Sequence, residues 1–129
     1  MKIPELSKFR KLLLDVEYYQ NRLSKLQAAM MQSKIDAADI ITEEDRLVFC
    51  GEAKQLESIY IDALKCSKRE LLRIENYIAS VSDPYIKQIM DLRFVQGLSW
   101  QQCALRISPR ISADSIFMMC KRYIEKHPE

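Results

Sequence analysis

Four cations and two hydroxyls near the end of the chain are the residues best suited to chemistry: Arg106, Arg110, Lys121, Arg122, Ser112 and Ser115. Guanidinium and ammonium groups attract phosphate, and serines that open a helix stand where free backbone N–H groups meet a phosphate backbone. Gln101 adds a hydrogen-bonding amide. Phe117 and Met118 have nothing to offer a polar base edge, so they suit thymine methyl groups or an apolar protein surface. No Ser/His/acid set, glycine-rich phosphate loop or spaced carboxylate pair is present. The single histidine is His127, and Cys50, Cys66, Cys103 and Cys120 form no Cys-x-x-Cys pair. The expectation is four buried or half-buried reduced thiols, no metal, no cofactor and no enzymatic activity.

Those residues need helices to hold them. Asp83 before Pro84 is an N-cap followed by proline at the first helical position. Ile86, Ile89, Met90 and Phe94 then follow as one apolar stripe. Gly97 can take positive φ and end that helix. Ser99 with Gln102 three residues on makes a capping box. Trp100, Cys103, Ala104 and Ile107 would be the inward face, with Ala104 small enough for two helices to cross closely. Ser112 caps a last helix whose inward stripe is Ile116, Met119, Cys120, Tyr123 and Ile124. Its outward face then takes Ala113, Asp114, Phe117, Met118, Lys121, Arg122 and Glu125. Three short helices with a glycine turn are the layout of a helix-turn-helix, in which that outward face enters the major groove.

Leu92-Arg93-Phe94, Gly97-Leu98-Ser99-Trp100-Gln101-Gln102, Ala104 and Ser112-Ala113-Asp114-Ser115-Ile116 resemble the region-4-like helix-turn-helix of sigma-70 factors. They are closer still to small phage-encoded transcriptional regulators of Gram-positive bacteria, the ArpU-like and RinA-like proteins. The resemblance covers roughly the last third of the chain. It implies binding to double-stranded DNA and control of phage or mobile-element transcription in a bacterial cytoplasm. The turn Ser108-Pro109-Arg110-Ile111 departs from the pattern in lacking glycine, and Phe117 and Met118 depart in standing where polar or basic side chains are usual.

Composition points the same way for fold class. With 2 Gly and 4 Pro in 129 residues, the chain reads as all-α. No apolar run approaches the ~18 residues of a membrane span, and Met-Lys-Ile-Pro-Glu-Leu has no apolar signal core. The net charge of +2 is unevenly spread: residues 1–34 have seven basic and three acidic side chains, and residues 35–64 have two and eight. Residues 84–129 carry seven basic and four acidic, a modest surplus only.

Residues 1–81 read as a long antiparallel helical hairpin, followed by the three-helix module over residues 82–129. Leu6, Phe9, Leu13, Val16, Leu23, Leu26 and Met30 mark a first helix of about eight turns. Thr42-Glu43-Glu44-Asp45 starts a second, which runs to about Ser80 with Gly51 as its weak point. Leu56, Tyr60, Leu64, Leu71, Ile74 and Ile78 trace a near-heptad seam, the expected surface of a homodimer; intramolecular packing against a third helix is the alternative. Lys25 and Lys34 would face Glu43, Glu44, Asp45 and Glu52 when the hairpin closes. Tyr18 and Tyr19 are expected to divide between surface and core. Lys65, Lys68, Arg69 and Arg73, interleaved with Glu70 and Glu75, read as a solvated flank. Beside DNA binding stand two other functions: a protein-interaction module that contacts RNA polymerase, and a small DNA-packaging or assembly subunit.

Overall fold

The computed structural model describes residues 1–36 and 43–129, and the side chains of residues 1–32 and 50–129. Among them every regular element is helical. These are α1 (Ile3–Leu6), α2 (Phe9–Asp36), α3 (Glu43–Ala79), α4 (Pro84–Met90), α5 (Trp100–Ile107) and α6 (Ala113–Lys126), with a π-helical turn over Asp91–Val95. No described helix is long and apolar enough to cross a membrane. The expected first helix is divided: Pro4 opens α1, and the Ser7 hydroxyl turns back to the Ile3 carbonyl at 2.9 Å before α2 begins. α3 is continuous through Gly51, where an added Cβ would meet nothing.

The chain forms two compact units, residues 14–69 and residues 1–13 with 70–129. In the first, the Tyr19 ring of α2 lies 6.3 Å from the Tyr60 ring of α3. Equal numbers of residues separate Tyr19 from the end of α2 and Tyr60 from the start of α3, about 25 Å of helix each at ~1.5 Å per residue. Parallel helices would hold those ends about 50 Å apart, roughly twice the reach of the short link between them at ~3.5 Å per residue. A parallel arrangement of the two helices is therefore excluded. Tyr18 is exposed and meets Tyr19 edge-on, with centroids 5.3 Å apart. The proposed charge pairing of Lys25 and Lys34 with Glu43, Glu44, Asp45 and Glu52 falls on side chains most of which lie outside the described residues.

The second unit is built on one apolar core. Leu6 and Phe9 from the N-terminal segment join Ile74, Tyr77 and Ile78 of α3, Ile86, Ile89 and Met90 of α4, Ala104 of α5, and Ile116, Cys120 and Ile124 of α6. α6 packs on both α4 and α5, which fixes its inward face. The unit that contains residues 82–129 thus also takes in residues 1–13 and 70–81, because ~45 residues alone bury too little surface to be stable. Its rim is held by polar contacts. Tyr77 donates from its hydroxyl to the His127 carbonyl at 2.8 Å, and the His127 ring stacks on Tyr123 at 4.2 Å. Arg73 pairs with both carboxylate oxygens of Glu129 and with Glu5 and Glu70. That arginine is thus one member of an ion cluster, where the sequence suggested only a solvated flank.

All four cysteines are free; Cys103 and Cys120 are buried and Cys50 half-buried, but Cys66, on the outer side of α3, is exposed, contrary to the expectation of four covered thiols. Burial pushes the Cys120 thiol up to about 12 from an ordinary 9.0, and likewise lifts the Tyr77 hydroxyl to about 12 from 10.0. Both groups are neutral when folded and ionise more readily when unfolded. Their contribution is complete below about pH 9 and is lost as pH rises toward 12. Alkaline titration followed by circular dichroism should therefore show falling stability across that window. At neutral pH a thiol reagent should modify Cys66 quickly and reach Cys103 and Cys120 only on unfolding. Phe9→Ala should remove about 3–5 kcal/mol in urea denaturation, as expected for a buried aromatic in a shared core. A loss under 1 kcal/mol would show that the N-terminal segment is not part of that core.

Candidate functional site

The expected caps are formed. The Asp83 carboxylate accepts from the Tyr85 and Ile86 N–H groups, and Ser99 and Gln102 make both bonds of the capping box. The Ser112 hydroxyl accepts from the Ser115 N–H at 3.2 Å and pairs with the Ser115 hydroxyl at 2.9 Å. Between α4 and α5 the backbone widens: the Gln96 N–H reaches five residues back to the Asp91 carbonyl, and the Leu98 N–H six residues back to that of Leu92. Gly97 turns the chain with φ of 76°, the one positive φ among the described residues. A Cβ there would also come within 2.5 Å of Cδ of Arg10, which lies across the turn. Arg10 donates through Nη1 to the carbonyls of Val95 at 3.2 Å and Gln96 at 3.1 Å.

Trp100 organises the start of α5. Its half-buried ring meets Phe94 edge-on at 6.1 Å and Phe117 edge-on at 5.3 Å, and the Arg93 guanidinium lies 5.0 Å from its centroid. Arg93 also donates to the Leu98 carbonyl at 2.9 Å. Trp100 therefore works as a connector between the π turn and α6 more than as a plug at the centre of the core.

Gln101, Arg106, Arg110, Ser112, Ser115, Lys121 and Arg122 are all exposed. Phe117 is placed differently from expectation. At 100° per residue it sits beside Ile124, on the flank of α6 and not at its outer crest. There it is half-buried and forms one wall of an apolar groove of about 620 Å³ with Ile3, Pro4 and Ile124. Met118 stays outward, 39% exposed, in a strip shared with Asp114 and Glu125. Lys121 borders the Phe117 groove, while Arg122 lines a second cavity with Asp83, Ile86 and Lys126. The two cations adjacent in sequence are thus on opposite flanks of α6.

Of the six seam residues, Ile74 and Ile78 are buried in the same core as Leu6 and Phe9, and Leu71 packs against it. Tyr60 and Leu64 are half-buried and Leu56 exposed in the unit of residues 14–69. Two features had not been picked out in the sequence. Leu105, on the outer face of α5, is 73% exposed. Arg10 acts on a turn 85 residues away, and nothing in local spacing announces such a contact.

Gly97→Ala should cost ~1–3 kcal/mol of stability in urea, since alanine is strained at that φ. Combining it with Arg10→Ala should relieve the collision and leave the φ penalty. A double variant no more stable than the sum of the two single losses would show that Arg10 does not press on the turn. No protein-family model matches the chain, and no curated protein or solved structure does either.

Proposed function

We propose that this protein is a DNA-binding transcription regulator of a phage or mobile element, with α5 and α6 as a helix-turn-helix and α6 as its reading helix. The observation that carries the reading is the first turn of α6. Its hydroxyls Ser112 and Ser115 are exposed at the helix start, with Arg110 just before them and Lys121 and Arg122 one to two turns further on. Hydroxyls flanked by cations suit a phosphate backbone, and Met118 supplies an apolar contact for a thymine methyl group. The capped α5, the Gly97 turn and the packing of α6 on α4 and α5 supply a rigid mount. Cytoplasmic action in a bacterial host belongs to the same reading. So does dimerisation through residues 14–69, where Leu14, Leu56 and Ile59 are exposed.

A second reading has its own support. Leu105 and Met118 are exposed apolar side chains on α5 and α6, which suits a protein partner such as RNA polymerase. A packaging or assembly subunit would share the DNA contacts and differ in forming larger oligomers.

Lys121→Ala should weaken binding to every duplex and lower the salt slope by about one. Met118→Ala should weaken a specific site by ~1–3 kcal/mol and spare non-specific binding. Phe117→Ala is expected to lower stability through the loss of its edge contact with Trp100. Electrophoretic titration of a genomic fragment at several salt concentrations, with light scattering for subunit number, reads these outcomes. Salt-independent or absent DNA binding, with polymerase capture abolished by Leu105→Ala, would overturn the DNA reading in favour of the protein partner.

A further inference from the structure

Two arginines far apart in sequence line one pocket beside the Gly97 turn. Arg10 and Arg93, with Ser7, Phe94 and Gly97, enclose about 200 Å³. None of these lining residues is acidic. Asp91, two residues from Arg93, has its carboxylate engaged by the Gln96 side-chain amide at 3.0 Å. Arg73, in the same unit, is met by three carboxylates. The hydrogen bonds of Arg10 and Arg93 go instead to neutral backbone carbonyls: Nη1 of Arg10 to Val95 and Gln96, and Nη1 of Arg93 to Leu98. Nε of Arg93 is buried and has no hydrogen-bond partner. Cations gathered at a half-enclosed site without a counter-charge are unfavourable, and an unpaired buried donor adds to that cost. An anion in the pocket would supply the missing counter-charge.

We propose that this pocket binds a phosphate group, held by the guanidinium forks of Arg10 and Arg93. Each fork presents paired N–H donors that match two oxygens of a phosphate. Two forks from different elements suit a tetrahedral oxyanion better than a planar carboxylate. At ~30 Å³ per water the space corresponds to roughly seven waters, enough for a phosphate group that keeps part of its hydration. The Arg10 contacts to Val95 and Gln96 fix the fork in place before the ligand arrives, which reduces the ordering cost of binding. The phosphate is either a free species or one link of a duplex backbone; the second source rests on the DNA reading above.

The chain has a single tryptophan, Trp100, and Arg93 lies against its ring, so its fluorescence reports on the pocket. The full chain is titrated with inorganic phosphate against chloride at constant ionic strength. The expected result is a saturable change, weakened about tenfold or more in Arg10→Gln and partly retained in Arg10→Lys. A response no larger than that of chloride overturns the proposal, as does an unaltered response in an Arg10→Gln protein of native circular dichroism. A duplex fragment separates the sources. If the backbone supplies the phosphate, Arg10→Gln lowers the salt slope of duplex binding by about one and duplex displaces the phosphate response. If a free species supplies it, that slope is unchanged while the phosphate response is lost. A chain that binds no duplex yet keeps the phosphate response overturns the DNA reading and leaves this site standing.

Discussion

Leu6 and Phe9 buried against Ile74 and Ile78 are the contact on which the C-terminal helices depend. Three short helices of 7, 8 and 14 residues cannot enclose a core of their own. The first residues of the chain and the last turns of α3 supply the missing surface. This has a consequence for Ile74 and Ile78. They carry the heptad-like spacing that suggests a seam between subunits, yet in this fold the chain covers them itself. A seam read from spacing states only that a stripe must be covered, and it does not state by what.

A second set of contacts transmits that support to α5 and α6. Arg10, just after Phe9, holds the carbonyls that end the π turn, and Gly97 has room for it because it lacks a Cβ. Arg93 and Phe94 pass the same constraint to Trp100, and Trp100 passes it to Phe117 on α6. A π turn places one additional residue in the ladder, which shifts the direction of everything after it. Here Arg93 lies over Trp100, while Phe94 stays in the core with Ile86, Ile89 and Met90.

How much of this could be read beforehand follows from the range of each interaction. The caps at Asp83, Ser99 and Ser112 and the turn at Gly97 were legible because each depends on residues within three positions of one another. The inward stripes of α4 and α6 were legible through their period. The π turn was not, since it has no compositional mark. The helical wheel places Phe117 on the outer face because it divides residues into two halves, whereas Phe117 occupies a flank covered by Trp100 and the N-terminal segment. Arg10 was invisible for a simpler reason: the carbonyls it holds are made available by the fold.

The flank positions on α6 bear most directly on what its surface can recognise. With Phe117 turned toward Trp100, the outer strip is Asp114, Met118 and Glu125, with Lys121 and Arg122 on either side. Two carboxylates along the centre of a face oppose its close approach to phosphate over its whole length. They do not oppose it equally. Asp114 lies in the first turn, where the helix dipole offsets its charge and where a cytosine amino group is an acceptable partner. Glu125 lies in the last turn and has no such compensation. On the DNA reading, α6 must therefore enter a groove by its N-terminal half, with Ser112 and Ser115 near the backbone and Met118 as the deepest side chain. Lys121 and Arg122 then span the groove to opposite strands, and Glu125 remains outside. On the protein reading the same strip would lie flat against a partner, and both carboxylates would need cationic mates there. The spread of charge along α6 thus separates an end-on reader from a side-on docking surface.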